Sequence, residues 1–469
     1  MDDLHGDFRG IIDHLDHIQD LGIDVIYMTP SFKSDSCHKY DTIDYYQIDP
    51  SFGTTEDLRE LVQEAHKRGM KIVMDAVFNH TGREFFAFED IMEKGEKSKY
   101  LDWYYIDELP LKGKWGEIPN FLCFGYYGGM PKLNLKNPEV ANYITDVACY
   151  WIRECDIDGW RLDVGDEISH FFWKRFRRAI KAVKKDMLII GEIWHYAGDF
   201  LEGDEWDTVM NYDAFMEPLS WFLTGMEKHS DEENPTLFGD GCAFFEAMRY
   251  HMSEMPTASV QCAMNELSNH DHSRFMTRTN RRVGRLASAG AKAAEEGISY
   301  GIFRQGVVMQ MTWPGAPTIY YGDEAGVCGW TDPDSRRTYP WGGENLELIE
   351  FHRYMSGIRK RCPAFRNGSL KALAAGDGYI AYGRFQSAQR AGGACCGVTA
   401  VNTGDDWLTL KIPVWQIGAR DGAVLRREMM TYEDGYNAGQ VEDEIKDGYI
   451  EVKIPPVGSI VLTGNDTAL

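Results

Sequence analysis

The stretch Gly159-Trp160-Arg161-Leu162-Asp163-Val164 decides how the rest of the chain is read. It is short, apolar and opened by a glycine, which predicts a buried strand. An arginine two residues before an aspartate puts both side chains on one face of that strand. There the guanidinium can keep the carboxylate ionised and oriented. Taken alone, the pair reads equally well as a structural ion pair. Three other strand-like stretches end in the same kind of chemistry, and the set changes the balance.

Apolar stretches at 23–30, 71–78, 187–193, 208–212, 262–267 and 316–322 predict six further strands. Helices are predicted between them. Phe8, Ile11, Ile12, Leu15, Ile18 and Leu21 recur at helical spacing up to Gly22. A second helix starts at Thr54-Thr55-Glu56-Asp57, a third at Asn137-Pro138-Glu139, and a fourth covers 168–184. Such alternation implies a parallel sheet. Polar residues gather at the C-terminal ends of the strands, where a (β/α)8 TIM-type barrel keeps its active site. An open doubly wound sheet is the alternative, but no glycine-rich phosphate turn follows an early strand.

Seven strands are one short of a closed barrel, and the chain opens on a helix. The first barrel strand is therefore expected to be absent, leaving two hydrogen-bonding edges. Either a longer natural chain has been shortened or the gap is filled in another way. The expected division is a catalytic barrel over 1–80 and 137–369, a long Tyr-, Trp-, Gly- and Pro-rich insertion over 81–136, and a C-terminal antiparallel β-sandwich domain over 370–469. In the last, strands are predicted at 378–385, 395–402, 407–413 and 449–462.

A formal charge of −24 repels phosphate backbones and anionic lipid, so neither nucleic acid nor membrane is an expected partner. No apolar run is long enough to span a bilayer. Thirteen Trp, 24 Tyr and 23 Phe suit a protein that stacks rings on sugars. The ten cysteines lack metal or redox spacing and read as reduced thiols. With an acidic, polar start and no signal peptide, they predict a cytoplasmic protein.

Glu192 ends one strand, Asp271 follows Ser268-Asn269-His270 after another, and Asp75 lies just before Asn79-His80. With Asp163 this makes four strand-end acids, which are costly to gather unless they do chemistry. Two carboxylates flanking a glycosidic bond are the minimum for sugar hydrolysis. One must be ionised and the other must hold a proton at neutral pH. Arg161 makes Asp163 the natural nucleophile, and Glu192, beside Ile193 and Trp194, the natural proton donor.

The blocks Asp75-Ala-Val-Phe-Asn-His80, Gly159-Trp-Arg-Leu-Asp-Val164, Gly191-Glu-Ile-Trp194 and Ser268-Asn-His-Asp271 resemble, in order, the four signature regions of the α-amylase family of glycoside hydrolases. The resemblance implies Asp163 as nucleophile, Glu192 as general acid/base and Asp271 as stabiliser of the transition state. It also implies Arg161, His80, His270 and a stacking Tyr40 around the distorted sugar. For Tyr40 a core role stays open, and for Asp332 and Arg336 sugar contact and a surface salt bridge stay equally open.

Met130-Pro-Lys-Leu-Asn134, Glu167 and Trp194 are similar to the cyclomaltodextrinase, neopullulanase and maltogenic amylase subgroup. Glu167 and Trp194 would then contact the leaving-group sugar. Gly165-Asp166 departs from the Ala-Asn of many relatives. The resemblance requires no cofactor and admits a calcium ion near Asn79. The subgroup's N-terminal β domain, which serves dimerisation, is expected to be absent, so a homodimer is only weakly implied. The reading is a retaining hydrolase of α-1,4 bonds in cyclodextrins, maltooligosaccharides and pullulan or starch. A transglycosylase, an α-1,6-glucosidase or a glucan-binding relative are its rivals.

Overall fold

The stretch around Asp163 forms the strand Gly159–Leu162, third of five parallel strands in the order Val25–Met28, Lys71–Ala76, Gly159–Leu162, Leu188–Gly191, Thr208–Val209. We describe residues 6–113, 116–390, 392–465 and 468–469 of a computed structural model. It has two compact units, one running through Ile193 with Ala197–Val209, the other comprising Trp194–Tyr196 and Met210–Leu469.

In the first unit two of the helices between strands begin at signals written in the sequence. Thr54 and Asp57 cap each other reciprocally at the head of Thr55–Lys67. Asn137 caps Pro138–Cys155, with proline in the first turn. The sheet's register sets Asp75 opposite Arg161 and Arg161 opposite Ile190. Tyr27, Asp75, Arg161, Asp163 and Glu192 therefore share one face. The opposite face carries Trp160, packed against Phe32 and Phe78 at ring distances of 6.3 and 5.7 Å. Gly191 leaves the space that Trp206 fills, since a Cβ there would lie 2.1 Å from the indole.

Val25–Met28 is hydrogen-bonded to a neighbouring strand on one side only, and Val25 is 44% exposed. Among the described residues it is therefore an edge of this sheet. The predicted first helix is two, Phe8–Asp13 and Leu15–Asp20, because the His14 ring binds the Gly10 carbonyl and its backbone leaves the helical region. A hairpin of Phe32–Ser34 and Thr42–Ile48 was not foreseen, because its strands are polar and irregularly paired. The segment 81–136 holds a helix, Phe86–Lys94, and bridges that pair His80 with Lys132 and Tyr104 with Leu133.

In the second unit Met264–Glu266 pairs in parallel with Ala316–Thr318, and Met210 bridges to Met264. The chain ends in a seven-stranded antiparallel sheet and a two-stranded ribbon, Leu408–Ile412 with Ile450–Ile454. The run predicted over 449–462 divides at Pro455-Pro456 into two strands that join different sheets. The strands Ser369–Gly376 and Val424–Tyr432 were not read from the sequence. The large sheet is covered on both faces. Ile380, Tyr382, Val401 and Val461 join one core with the helix Tyr300–Thr312. Ala381, Val398, Ala400, Ile460 and Leu462 join another with the ribbon. That explains why Cys395–Asn402 is buried throughout instead of alternating.

Arg384 reaches through this layer and donates to the carbonyls of Thr312, Phe365 and Gly368 at 2.8, 3.0 and 2.9 Å. These oxygens lie at helix ends, where backbone acceptors lack helical donors. Arg384→Met should cost about 3 kcal/mol, by stranding buried acceptors, read as a lower urea midpoint at unchanged slope.

Candidate active site

Three of the strand-end acids meet on one guanidinium. Arg161, with no exposed surface, lies within 3.1 Å of both Asp75 oxygens and 2.8 Å of Asp163 Oδ1 through Nη1. Its Nη2 lies 2.9 Å from Glu192 Oε2. Arg161 thus serves Asp75 and Glu192 as well as Asp163. Parallel register explains the convergence: Asp163 N–H donates to the Ala76 carbonyl and Glu192 N–H to the Leu162 carbonyl, so each acid stands one step past its neighbour's strand.

The electrostatics follow from one buried cation among three carboxylates. Burial pushes the Asp163 carboxyl well up and the adjacent Glu192 adds to this, while Arg161 pulls it down. Burial likewise raises Asp75 against the pull of Arg161. Asp75 and Asp163 therefore hold their protons to higher pH than isolated carboxyls do. Tyr27 and Tyr40 donate to Asp75 Oδ2 at 2.7 and 3.3 Å, and burial pushes both phenols far up, so they stay donors. Tyr27 was missed because a tyrosine in an apolar run reads as core.

Val164, directly after Asp163, takes φ 47° and ψ 46°, a left-handed conformation unfavourable for a β-branched residue. In it the Val164 N–H donates to Glu192 Oε2 at 2.9 Å. The strained turn thereby supplies Glu192 with a backbone donor in addition to its ion pair with Arg161.

His80 is fully buried, donates from Nε2 to the Tyr40 carbonyl at 3.0 Å, and stacks on Phe124 at 5.1 Å. Its role here is to fix Tyr40 and the insertion. Glu167 joins Asn79 and Lys132: the Lys132 ammonium lies 2.7 Å from Glu167 Oε2 and 2.8 Å from Asn79 Oδ1. Asn79 Nδ2 donates to the same Glu167 oxygen. The atoms that would face a calcium ion at Asn79 already hold this ammonium, so the donor set does not fit calcium. Among the described residues, Glu227, His229 and Asp231 also lie within metal-binding reach of one another. Their ligand atoms are engaged, however, His229 with Glu227 and Asp231 with Arg285.

The remaining expected residues belong to the second unit. His270 Nε2 lies 3.3 Å from Asp271 Oδ2, and Arg336 lies 3.9 Å from Asp271 Oδ1 while donating to Asp332 at 2.6 Å. The Asp332–Arg336 pair thus exists and leads to Asp271. Asn269 Oδ1 accepts from the amides of Asp271 and His272, and its Nδ2 donates to Tyr212 and Glu266. Trp194 is 45% exposed, with its ring against His272 and His229.

The family model for the α-amylase catalytic domain matches residues 1–347. A cyclomaltodextrinase from Geobacillus thermopakistaniensis is 42% identical over 79% of this chain and 58% of its own length. Neopullulanase 2 from Thermoactinomyces vulgaris is 42% identical over 78% and 58%. The chain spans somewhat over half the length of these relatives. The solved debranching enzyme of Nostoc punctiforme superposes with a TM-score of 0.82 at 32% identity, covering 98% of this chain and 89% of that one. The fold class expected from the sequence is thereby shown: a TIM-type catalytic barrel with a parallel core sheet, then a C-terminal antiparallel β domain.

Burial lowers the His80 pKa to about 4, whereas an unfolded histidine titrates near 6.5. Between these values the unfolded chain takes up a proton that the folded chain refuses, so stability falls as pH drops from about 6.5 to 4. His80→Gln should remove a part of that slope on the order of 3 kcal/mol, measured by denaturant unfolding across this range.

Proposed function

The chain belongs to the α-amylase family of glycoside hydrolases, and we propose that it hydrolyses α-1,4-glucosidic bonds of short α-glucans with retention of configuration. The substrates are cyclodextrins and maltooligosaccharides, with pullulan and starch as longer alternatives. The observation that carries this reading is the single Arg161 guanidinium gripping Asp163 and Glu192 at its two ends. A retaining pair needs its carboxyl groups about 5–5.5 Å apart, near enough for one to attack the carbon that the other's proton releases.

Glu192 gives its proton to the glycosidic oxygen as Asp163 attacks the anomeric carbon. One C–O bond breaks and another forms to Asp163. Glu192, now a base, takes a proton from water, whose oxygen displaces Asp163 and restores both groups. Asp75, held by Tyr27, Tyr40 and Arg161, positions the guanidinium and does no chemistry itself. In the second unit we assign Asp271, His270, Asp332 and Arg336 to binding sugar hydroxyls, and Trp194 to stacking on the leaving sugar. Glu167, oriented by Lys132, contacts the leaving side. No step uses a metal or a cofactor.

Cleavage of α-1,6 bonds is the second reading, favoured by the likeness to a debranching enzyme over 98% of the chain. Pullulan separates the two, because α-1,4 cleavage releases panose-type trisaccharides and α-1,6 cleavage releases maltotriose. With β-cyclodextrin and soluble starch in parallel, cyclodextrin should be cleaved faster. Asp163→Asn and Glu192→Gln should each lose about 10³-fold or more in kcat. Normal turnover by either variant would overturn the assignment, and longer oligomers from maltotriose would reveal glycosyl transfer.

A further inference from the structure

A cavity of about 240 Å³ in the second unit is lined by the π-turn Tyr212–Met216 and the helices Glu217–Thr224 and Gly241–Ser253. Trp221 and Phe244 form its apolar wall, and Asp213, Glu217, Asp240 and His251 supply its polar groups. Two of these acids are already committed. Glu217 takes the Lys228 ammonium at 3.2 Å, and Asp240 caps its helix by accepting from Ala243 N–H at 2.9 Å.

Asp213 is different. It is half-buried, and among the described residues no side chain hydrogen-bonds or ion-pairs with it. His251 contacts Glu254 through Nδ1 at 3.3 Å, which leaves its second ring nitrogen for a ligand. The cavity thus offers one unsatisfied acceptor, one imidazole nitrogen and an indole wall, with its other charges internally balanced. That set suits an uncharged ring with hydroxyls on its rim and C–H groups on its face. The volume lies below the about 300–1,000 Å³ of pockets for drug-sized ligands, so it admits one such ring and no chain.

We propose that this cavity is a second carbohydrate site, which takes one glucose unit at the end of a short α-glucan. The proposal rests on the reading of the chain as an α-glucan enzyme and adds to it a place outside the carboxylate cluster. Binding there also bears on Asp271. Asp213 directly follows Tyr212, whose hydroxyl accepts from Asn269 at 3.0 Å, and Asn269 in turn holds the Asp271 amide. A ring drawn against Asp213 therefore pulls on the turn that orients Asp271.

The test is calorimetric titration of maltotriose into the full chain carrying Asp163→Asn, which should bind sugar without consuming it. Two equivalents are expected. Adding Asp213→Asn, which keeps the side chain's shape, or Trp221→Ala should weaken one of them by about tenfold or more, the loss of one hydrogen bond to a charged group or one stacked ring. A single equivalent that survives both substitutions, or two that neither changes, overturns the proposal. Hydrolysis by the unsubstituted chain keeps the failures apart. If it cleaves glucan but the second equivalent is missing, only the cavity assignment falls. If it neither cleaves nor binds, the functional reading falls with it.

Discussion

One positive charge in an otherwise dry place organises the first unit. Arg161 has no exposed surface and three carboxylates around it, and removing any one alters what the others feel. A lone buried ion pair is a poor source of stability, because desolvation consumes most of the attraction. A cation shared among three acids is worse in that respect. It makes sense as a device for holding two reactive carboxyls in fixed orientation. Tyr27 and Tyr40 complete it by giving Asp75 donors that never ionise in the working pH range.

Around this core the sequence was readable where physics acts locally. All seven predicted strands lie where apolar runs placed them, most plainly Lys71–Ala76, Gly159–Leu162 and Leu188–Gly191, whose burial leaves little choice of residue. Helix starts at Thr54 and Asn137 were equally plain, since capping is written in two or three neighbouring residues. Arg161 and Asp163 could be placed on one face from alternation alone, and Asp75 and Glu192 at the ends of other strands. What they bind could not. That Arg161 forks to three acids depends on register between strands more than 80 residues apart, as with Arg161 and Asp75.

The same limit hid the rest. Lys132 was quoted as part of a motif, but its ammonium acts on Asn79 and Glu167, contacts that no spacing encodes. The hairpin 32–48 has polar, bulged strands that satisfy no simple period. Asp213 lies in a π-turn whose extra residue shifts every side chain after it off the helical wheel, so its place beside Trp221 was invisible in sequence.

The sheet covered on both faces has a consequence for how the chain is made. Val461, on the last strand, packs in the same core as Phe303 and Val307 of the helix Tyr300–Thr312. During synthesis that helix emerges some 150 residues before the strand that joins its core, and at about 5–20 residues per second this means a delay of about 8 to 30 seconds. In that interval its apolar side has only the earlier part of the core, such as Phe222, Phe244 and Phe275, to pack against. The second unit thus completes its core only once that strand has emerged.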